Sequence, residues 1–314
     1  MTFFRVSSNT AFSNFRSLLG RQNQELLRLS EQVSSGKRIN RPSDDPNAVN
    51  ILKGLKNSQS KIDQYLRNIQ VADRSWQQIE SSIRDSHALI VRAKELALQG
   101  NNGTLGDPER EALAVEVSEL SKQLLSISNT NINGEYIFGG FKTDAKPVAL
   151  DPAFPNATPA ATYSGSNQFK SLEIEEGSQI EIQERIDDLF VGTGAPDDQP
   201  LFQSMAKLEA ALRSNNVDDD DPNSVGQAME DLDAGLRALQ QRMAEIGGKS
   251  NRIWNTRDRL ENQKVLNDEF IEQLESVDAA EAIFEMNRAQ IALQATVSAA
   301  GAVLNQPSLM DFIR

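Results

Sequence analysis

Apolar side chains recur at alternating steps of three and four at both ends of the chain. Near the start, Phe12, Phe15, Leu19, Gln22, Leu26, Leu29 and Val33 form a heptad seam interrupted once by a glutamine. Near the end, Ile283, Met286, Gln290, Leu293, Val297, Ala300 and Leu304 repeat the same spacing with one glutamine. The second seam is set among alanines (Ala279, Ala280, Ala282, Ala289, Ala292, Ala295, Ala299 and Ala302), which predict close helix approach on more than one face. Each seam runs for about three heptads, too little to hold a helix in water without partners.

Directly after the first seam stands Gly36–Asn50, "GKRINRPSDDPNAVN". Pro42 disfavours helix at Arg41, and Asp45-Pro46 predicts an N-cap followed by proline at the first helical position. A helical stripe then runs through Leu52, Leu55, Ile62, Leu66, Ile69, Trp76, Ile79, Ile83, Ile90, Ala93 and Ala97, with an expected change of register near Asp73. "GNNGTLGDPER" predicts a loop with a second Asp-Pro cap at Asp107-Pro108. A third helix carries Leu113, Val117, Leu120, Leu124 and Ile127 and ends near Asn129. From Gly134 the pattern turns to glycine, proline and short alternating runs such as "SLEIE" and "QIEIQ", which predict strands. Beyond it, "LFQSMAKLEAALRSN" predicts a short helix and the stretch from Ser224 a long one, expected to loosen at Gly247-Gly248.

These elements predict a mainly α chain with a small β insert. The expected architecture is an elongated rod of long helices, with the terminal coiled-coil segments paired and the β region at the far end. Three domains are expected. Residues 1–41 and 279–314 make a terminal coiled coil, 42–138 and 201–278 a long-helix bundle, and 139–200 a small β-rich outer domain.

Charge refines this picture. The chain of 314 residues has a formal net charge of −13 and no cysteine. The total argues against a nucleic-acid partner, and the lack of cysteine removes disulfides and thiolate chemistry. Seven Arg or Lys against two Glu in residues 1–41 leave a local net +5, read either as a solvated helix face or as a surface for an acidic partner. Residues 139–200 hold four basic against eleven acidic residues, a net −7 that predicts a water-facing insert. No apolar run reaches membrane-spanning length, so no membrane partner is expected, and the first residues have no secretory-signal pattern.

Candidate chemistry is sparse. His87 is the single histidine; its nearest acids are Glu80 and Asp85, without a second ligand at suitable spacing. The Asp218–Asp221 run lacks the alternating ligands, glycine and late glutamate of a calcium loop. "GEYIFGGF" has no Lys-Ser/Thr after its glycines, so it is no phosphate loop. No catalytic, metal or cofactor site is assigned.

Both ends resemble a known family. "LSEQVSSGKRINRPSDDPNAVN" is similar to the N-terminal signature of the bacterial flagellins, and "AIFEMNRAQIALQATVSAAGAVLNQPSLMDFIR" to their C-terminal helix. The proline-containing "RPSDDP" and "NTNINGEYIFGGFKT" resemble the branch that joins hook to filament; the filament subunit itself is the alternative. The resemblance covers roughly residues 1–145 and 225–314. It implies a non-catalytic structural protein, outside the cell in the flagellum, exported without a cleaved signal peptide. The implied partners are copies of itself, the first hook-associated protein on the hook side, flagellin on the filament side and an export chaperone. An assembly interface is expected on Phe12, Phe15, Leu19, Leu26, Leu29, Val33, Ile283, Met286, Leu293, Val297 and Leu304. A domain junction is expected on Arg38, Arg41, Pro42, Asp44, Asp45 and Pro46, with Asp44 and Asp45 either capping the helix or pairing with Arg38 or Arg41.

Overall fold

The structure, a computed structural model, describes residues 8–132, 134–192, 200–218 and 221–304. Among the described residues six α-helices dominate: α1 (Ser8–Ser35), α2 (Pro46–Gly100), α3 (Asp107–Ser128), α4 (Leu201–Arg213), α5 (Val225–Glu275) and α6 (Ala279–Leu304). Between α3 and α4 the described residues form six short strands: β1 (Asn131–Ile132), β2 (Glu135–Tyr136), β3 (Val148–Leu150), β4 (Ala161–Tyr163), β5 (Ser171–Glu175) and β6 (Ser178–Glu181). They form three separate antiparallel pairs, β1–β2, β3–β4 and β5–β6, followed by a π-helical turn at Asp187–Val191. The chain is thus mainly α with a small β insert.

Two compact units divide the chain, one of residues 1–61 and 262–314, the other of residues 62–261. The second is built on a seven-residue repeat. On α2, Ile62, Ile69, Trp76, Ile83, Ile90 and Ala97 are buried, and the intervening positions Ala72, Ile79, Ser86, Ala93 and Gly100 are buried with them. On α5, Val225, Leu232, Leu239, Ile246, Ile253 and Leu260 form the matching row. This is the side-chain spacing of coiled-coil packing, and each large aliphatic side chain sealed from water contributes roughly 1.5–3 kcal/mol. The expected register change near Asp73 does not occur, because Ala72 fills the position where no large side chain stands. Helix α5 runs through Gly247-Gly248 without interruption. Helix α4 lies close against α2 and α5: a Cβ on Gly100 or Gly235 would meet Leu212 Cδ2 at 2.3 Å or Leu201 Cδ2 at 2.5 Å.

The β segment is not a separate outer domain with its own core. Phe138, Val148, Ala161, Ile174, Ile180, Ile186 and Phe190 belong to the same buried cluster as the helices. The β1–β2 pair also begins before residue 139, the expected start. The segment is tied down by polar contacts as well. Trp76 Nε1 donates to the Glu181 carbonyl at 2.8 Å, and Asn68 Nδ2 to that of Glu173 at 2.7 Å. The buried carboxylate of Glu184 receives Arg242 at 2.9 Å and Lys249 at 2.7 Å, and the Lys249 ammonium lies 4.5 Å from the centre of the Trp76 ring. Buried charge costs free energy unless paired, so these contacts fix where the segment sits.

"YIFGG" owes its composition to this docking. Phe138 is fully buried, and Gly140 takes φ +60°, where a Cβ would strike the Ser166 and Gln168 carbonyls at 2.3 and 2.7 Å. Tyr163 Oη donates to the Phe138 carbonyl at 2.9 Å, and the buried Gln183 amide donates to that of Gly140 at 2.9 Å. Burial pushes the Tyr163 phenol up to about 12.

Candidate assembly surface

In the terminal unit α1 ends on Gly36, whose φ of +68° lets the chain leave the helix while its N–H donates to the Gln32 carbonyl at 2.9 Å. The next residues run antiparallel to those that leave α5. Arg38 N–H donates to the Glu275 carbonyl at 2.7 Å, and Val277 N–H to that of Gly36 at 3.1 Å. The buried Gln32 side chain donates to the Arg38 carbonyl at 2.7 Å, and the Arg38 guanidinium reaches the Leu274 carbonyl at 3.0 Å.

Ion pairs surround this crossing. Glu275 receives Lys37 at 2.9 Å and Lys56 at 3.0 Å. Burial pushes its carboxyl up, but the two ammonium groups more than offset this and hold it below the ordinary glutamate value. Arg38 pairs with Asp45 at 3.5 Å.

The expected junction residues meet here with distinct tasks. Asp45 caps α2, accepting the Ala48 N–H at 3.0 Å ahead of Pro46. Asp44 neither caps the helix nor takes an arginine head group. Its carboxylate accepts the backbone N–H groups of Arg41 at 2.8 Å and Asn40 at 3.0 Å, which hold it below the ordinary aspartate value. The Arg41 guanidinium turns instead to Glu31 at 2.8 Å. Pro42 is exposed. The apolar support is small: Ile39, Ala48 and Leu52 are buried, with Val49, Ile271 and Leu274 against them. At α6, Asp278 accepts the Ala280 and Glu281 N–H groups at 2.9 and 3.1 Å, a cap that the residue pattern did not suggest. The second expected Asp-Pro cap fails: Gly106 takes the N-cap position of α3, and Asp107 accepts from Asn215 at 2.8 Å.

Helices α1 and α6 pack on each other. On α1, Leu29 is buried, and Phe15, Leu19, Leu26 and Val33 are half-buried, with Gln32 added to the sealed positions. On α6 the face turned inward is Ala282, Met286, Ala289, Leu293, Thr296 and Ala300. Met286 and Leu293 lie on it, whereas Ile283 and Val297 stand 43% and 54% exposed. The inward face is rotated by about 50° from the expected seam, at 100° per residue, because small residues and one threonine line it. Phe284 and Ile291, on the opposite side, are 65% and 68% exposed. Phe12 and Leu304 lie in α1 and α6, and their side chains fall outside the described ones.

Other candidates give no chemistry. His87 is half-buried on α2, and Glu80 is taken by Arg84. Asp221 accepts from Asn223 and Asn216, a local turn arrangement. Among the described residues there is no group of three or more side chains placed to hold a metal ion, and no helix is long and apolar enough to cross a membrane. A buried residue that periodicity could not reveal is Arg110. Its guanidinium caps the end of α2 by donating to the carbonyls of Gly100, Asn102 and Leu105 at 2.8–2.9 Å.

Known proteins share this arrangement. Flagellar hook-associated protein 3 of Salmonella typhimurium is 27% identical over 311 residues, covering 93% of this chain and 94% of that one. Among solved structures, a flagellar hook-associated protein from Vibrio parahaemolyticus shares the fold with a TM-score of 0.63 at 20% identity, over 74% of this chain and 100% of the other. The flagellar junction protein FlgL from Legionella pneumophila does so with a TM-score of 0.59 at 15% identity, over 72% and 100%. Residues 6–143 match the bacterial flagellin N-terminal helical region and residues 229–313 the C-terminal helical region. With more than two thirds of its length so matched, the chain belongs to the bacterial flagellin family.

Proposed function

We propose that this chain is a non-catalytic structural subunit of the flagellum that joins hook to filament through its terminal helices. The observation that carries the reading is the outer face of α6, where Ile283, Phe284, Ile291 and Val297 are each more than 40% exposed on a helix whose inner face is half alanine. Apolar area of that kind is stable only when other chains cover it. Copies of the same chain are the first such partners. A hook-associated protein on one side and flagellin on the other follow from the similarity to hook-associated protein 3 over nearly the whole of both chains. The surface works outside the cell, in the assembled flagellum. Before export, a chaperone covers Ile283–Ile313.

The test is deletion. Cells without the chain should build hooks, carry no filaments and release flagellin into the medium, and the restored chain should recover filaments. Filament loss with no release of flagellin would make the chain the filament subunit itself.

A further inference from the structure

In the terminal unit, the last turns of α5 show a second apolar face. Val265, Leu266 and Phe270 are 56%, 54% and 53% exposed, although Asn267, Ile271 and Leu274 on the opposite face are buried or half-buried. Glu269 and Glu272 lie on the exposed face with them. The same unit holds a notch of about 360 Å³ beside the crossing. Ile39, Val49 and Leu52 give it apolar walls, and Arg41, Lys53 and Lys56 line it as cations. Glu275, also in the lining, takes Lys56, and Glu31 takes Arg41, which among the described residues leaves Lys53 as the unpaired one. The Arg41 and Lys56 side chains are 68% and 50% exposed. Among the described residues, no ion pair engages Lys53, Glu269 or Glu272.

The two surfaces are complementary in kind: an acidic apolar helix face and a basic apolar notch. Both stand open in one chain, so neither fills the other within it. We propose that the Leu266–Phe270 face of α5 in one copy docks into the Ile39–Leu52 notch of a second copy, with Glu269 and Glu272 meeting Lys53. The contact joins two different patches, so it is heterologous. Repeated, it propagates from copy to copy along a ring or helix instead of closing a pair. It rests on the reading that copies of this chain assemble, and it assigns that assembly a contact outside α1 and α6.

The chain has no cysteine, so single-thiol variants are unambiguous. Full-length Lys53→Cys and Glu269→Cys copies are mixed, added to hooks from cells lacking the chain, and treated with a short bis-maleimide. The mixed crosslink should outnumber either like-with-like product by about tenfold. Lys53→Glu should lower incorporation by about tenfold, and the swap Lys53→Glu with Glu269→Lys should restore it, as expected for a partly desolvated charge pair. Both sites are exposed, so circular-dichroism melting should be unchanged in every variant. If Lys53→Glu incorporates normally and no mixed crosslink forms, the docking contact is wrong while the junction reading stands. If the unmodified chain does not add to hooks, the junction reading fails. The crosslink is then read in concentrated full-length chain, where lack of the mixed product overturns this contact too.

Discussion

On α2, every seventh residue from Ile62 to Ala97 is at most 3% exposed; on α1, only Leu29 of the residues Phe15, Leu19, Leu26, Leu29 and Val33 is sealed. The spacing is the same, and what faces it differs. The α2 row meets isoleucines, leucines and phenylalanines from α3, α4, α5 and the hairpins. The α1 row meets α6, which offers alanines, a threonine, one methionine and one leucine. A heptad repeat therefore says that a seam exists. The volume of the residues facing it says whether one chain completes that seam.

The most severe break of this contrast is a charge on α6. Ile291→Asp should abolish incorporation at hook tips, because this exposed outer-face position would then carry a charge enclosed by neighbouring copies, which costs several kcal/mol. The melting temperature of residues 62–261 should not move, as followed by near-ultraviolet circular dichroism. A variant that still retains filaments would place the surface elsewhere. Next comes Trp76→Ala, expected to cost about 3–5 kcal/mol in urea unfolding, while Leu19→Ala costs less than about 1 kcal/mol; equal losses would erase the distinction. Smaller again is Arg110→Met, which leaves the Gly100, Asn102 and Leu105 carbonyls without their donor and should cost about 1–3 kcal/mol. Limited proteolysis sharpens the same contrast: α1 and α6 should be removed first, about 40 residues from the start and 35 from the end, leaving a resistant core.

The subtlest effect is of pH. The Glu275 carboxyl is held below its ordinary value, so its contribution is complete above about pH 4.3, the unfolded glutamate value. It is lost as pH falls through the lowered folded value. Acid should therefore speed hydrogen exchange at the Arg38 and Val277 amides beyond its intrinsic pH dependence. Glu275→Gln should remove that excess.

Much of the fold is readable from residues alone. Helix order, the Asp45-Pro46 start and the α1 seam follow from spacing and capping chemistry that act locally. The misses in packing share one cause: small or polar residues in buried positions. Ala72, Ser86 and Gly100 carry the α2 seam where a search for large side chains sees a gap. The inner residues of α6 are alanines and Thr296, so hydrophobicity points to Ile283 and Val297 instead. Asp44 and Asp107 carry the residue type of a cap, but the backbone conformation around each decides which N–H groups they meet. Arg110 gives no periodic signal, since its partners are carbonyls brought to it by a loop.

The crossing at Gly36–Arg38 and Glu275–Val277 also has a mechanical meaning. Two backbone hydrogen bonds run between antiparallel segments, with Lys37–Glu275 and Arg38–Leu274 contacts beside them. A pull on α1 therefore does not peel these bonds open one after another. It shears them together, and the segment leading into α6 takes up part of the tension. A load that reaches the terminal helices is in this way divided between the two ends of each chain.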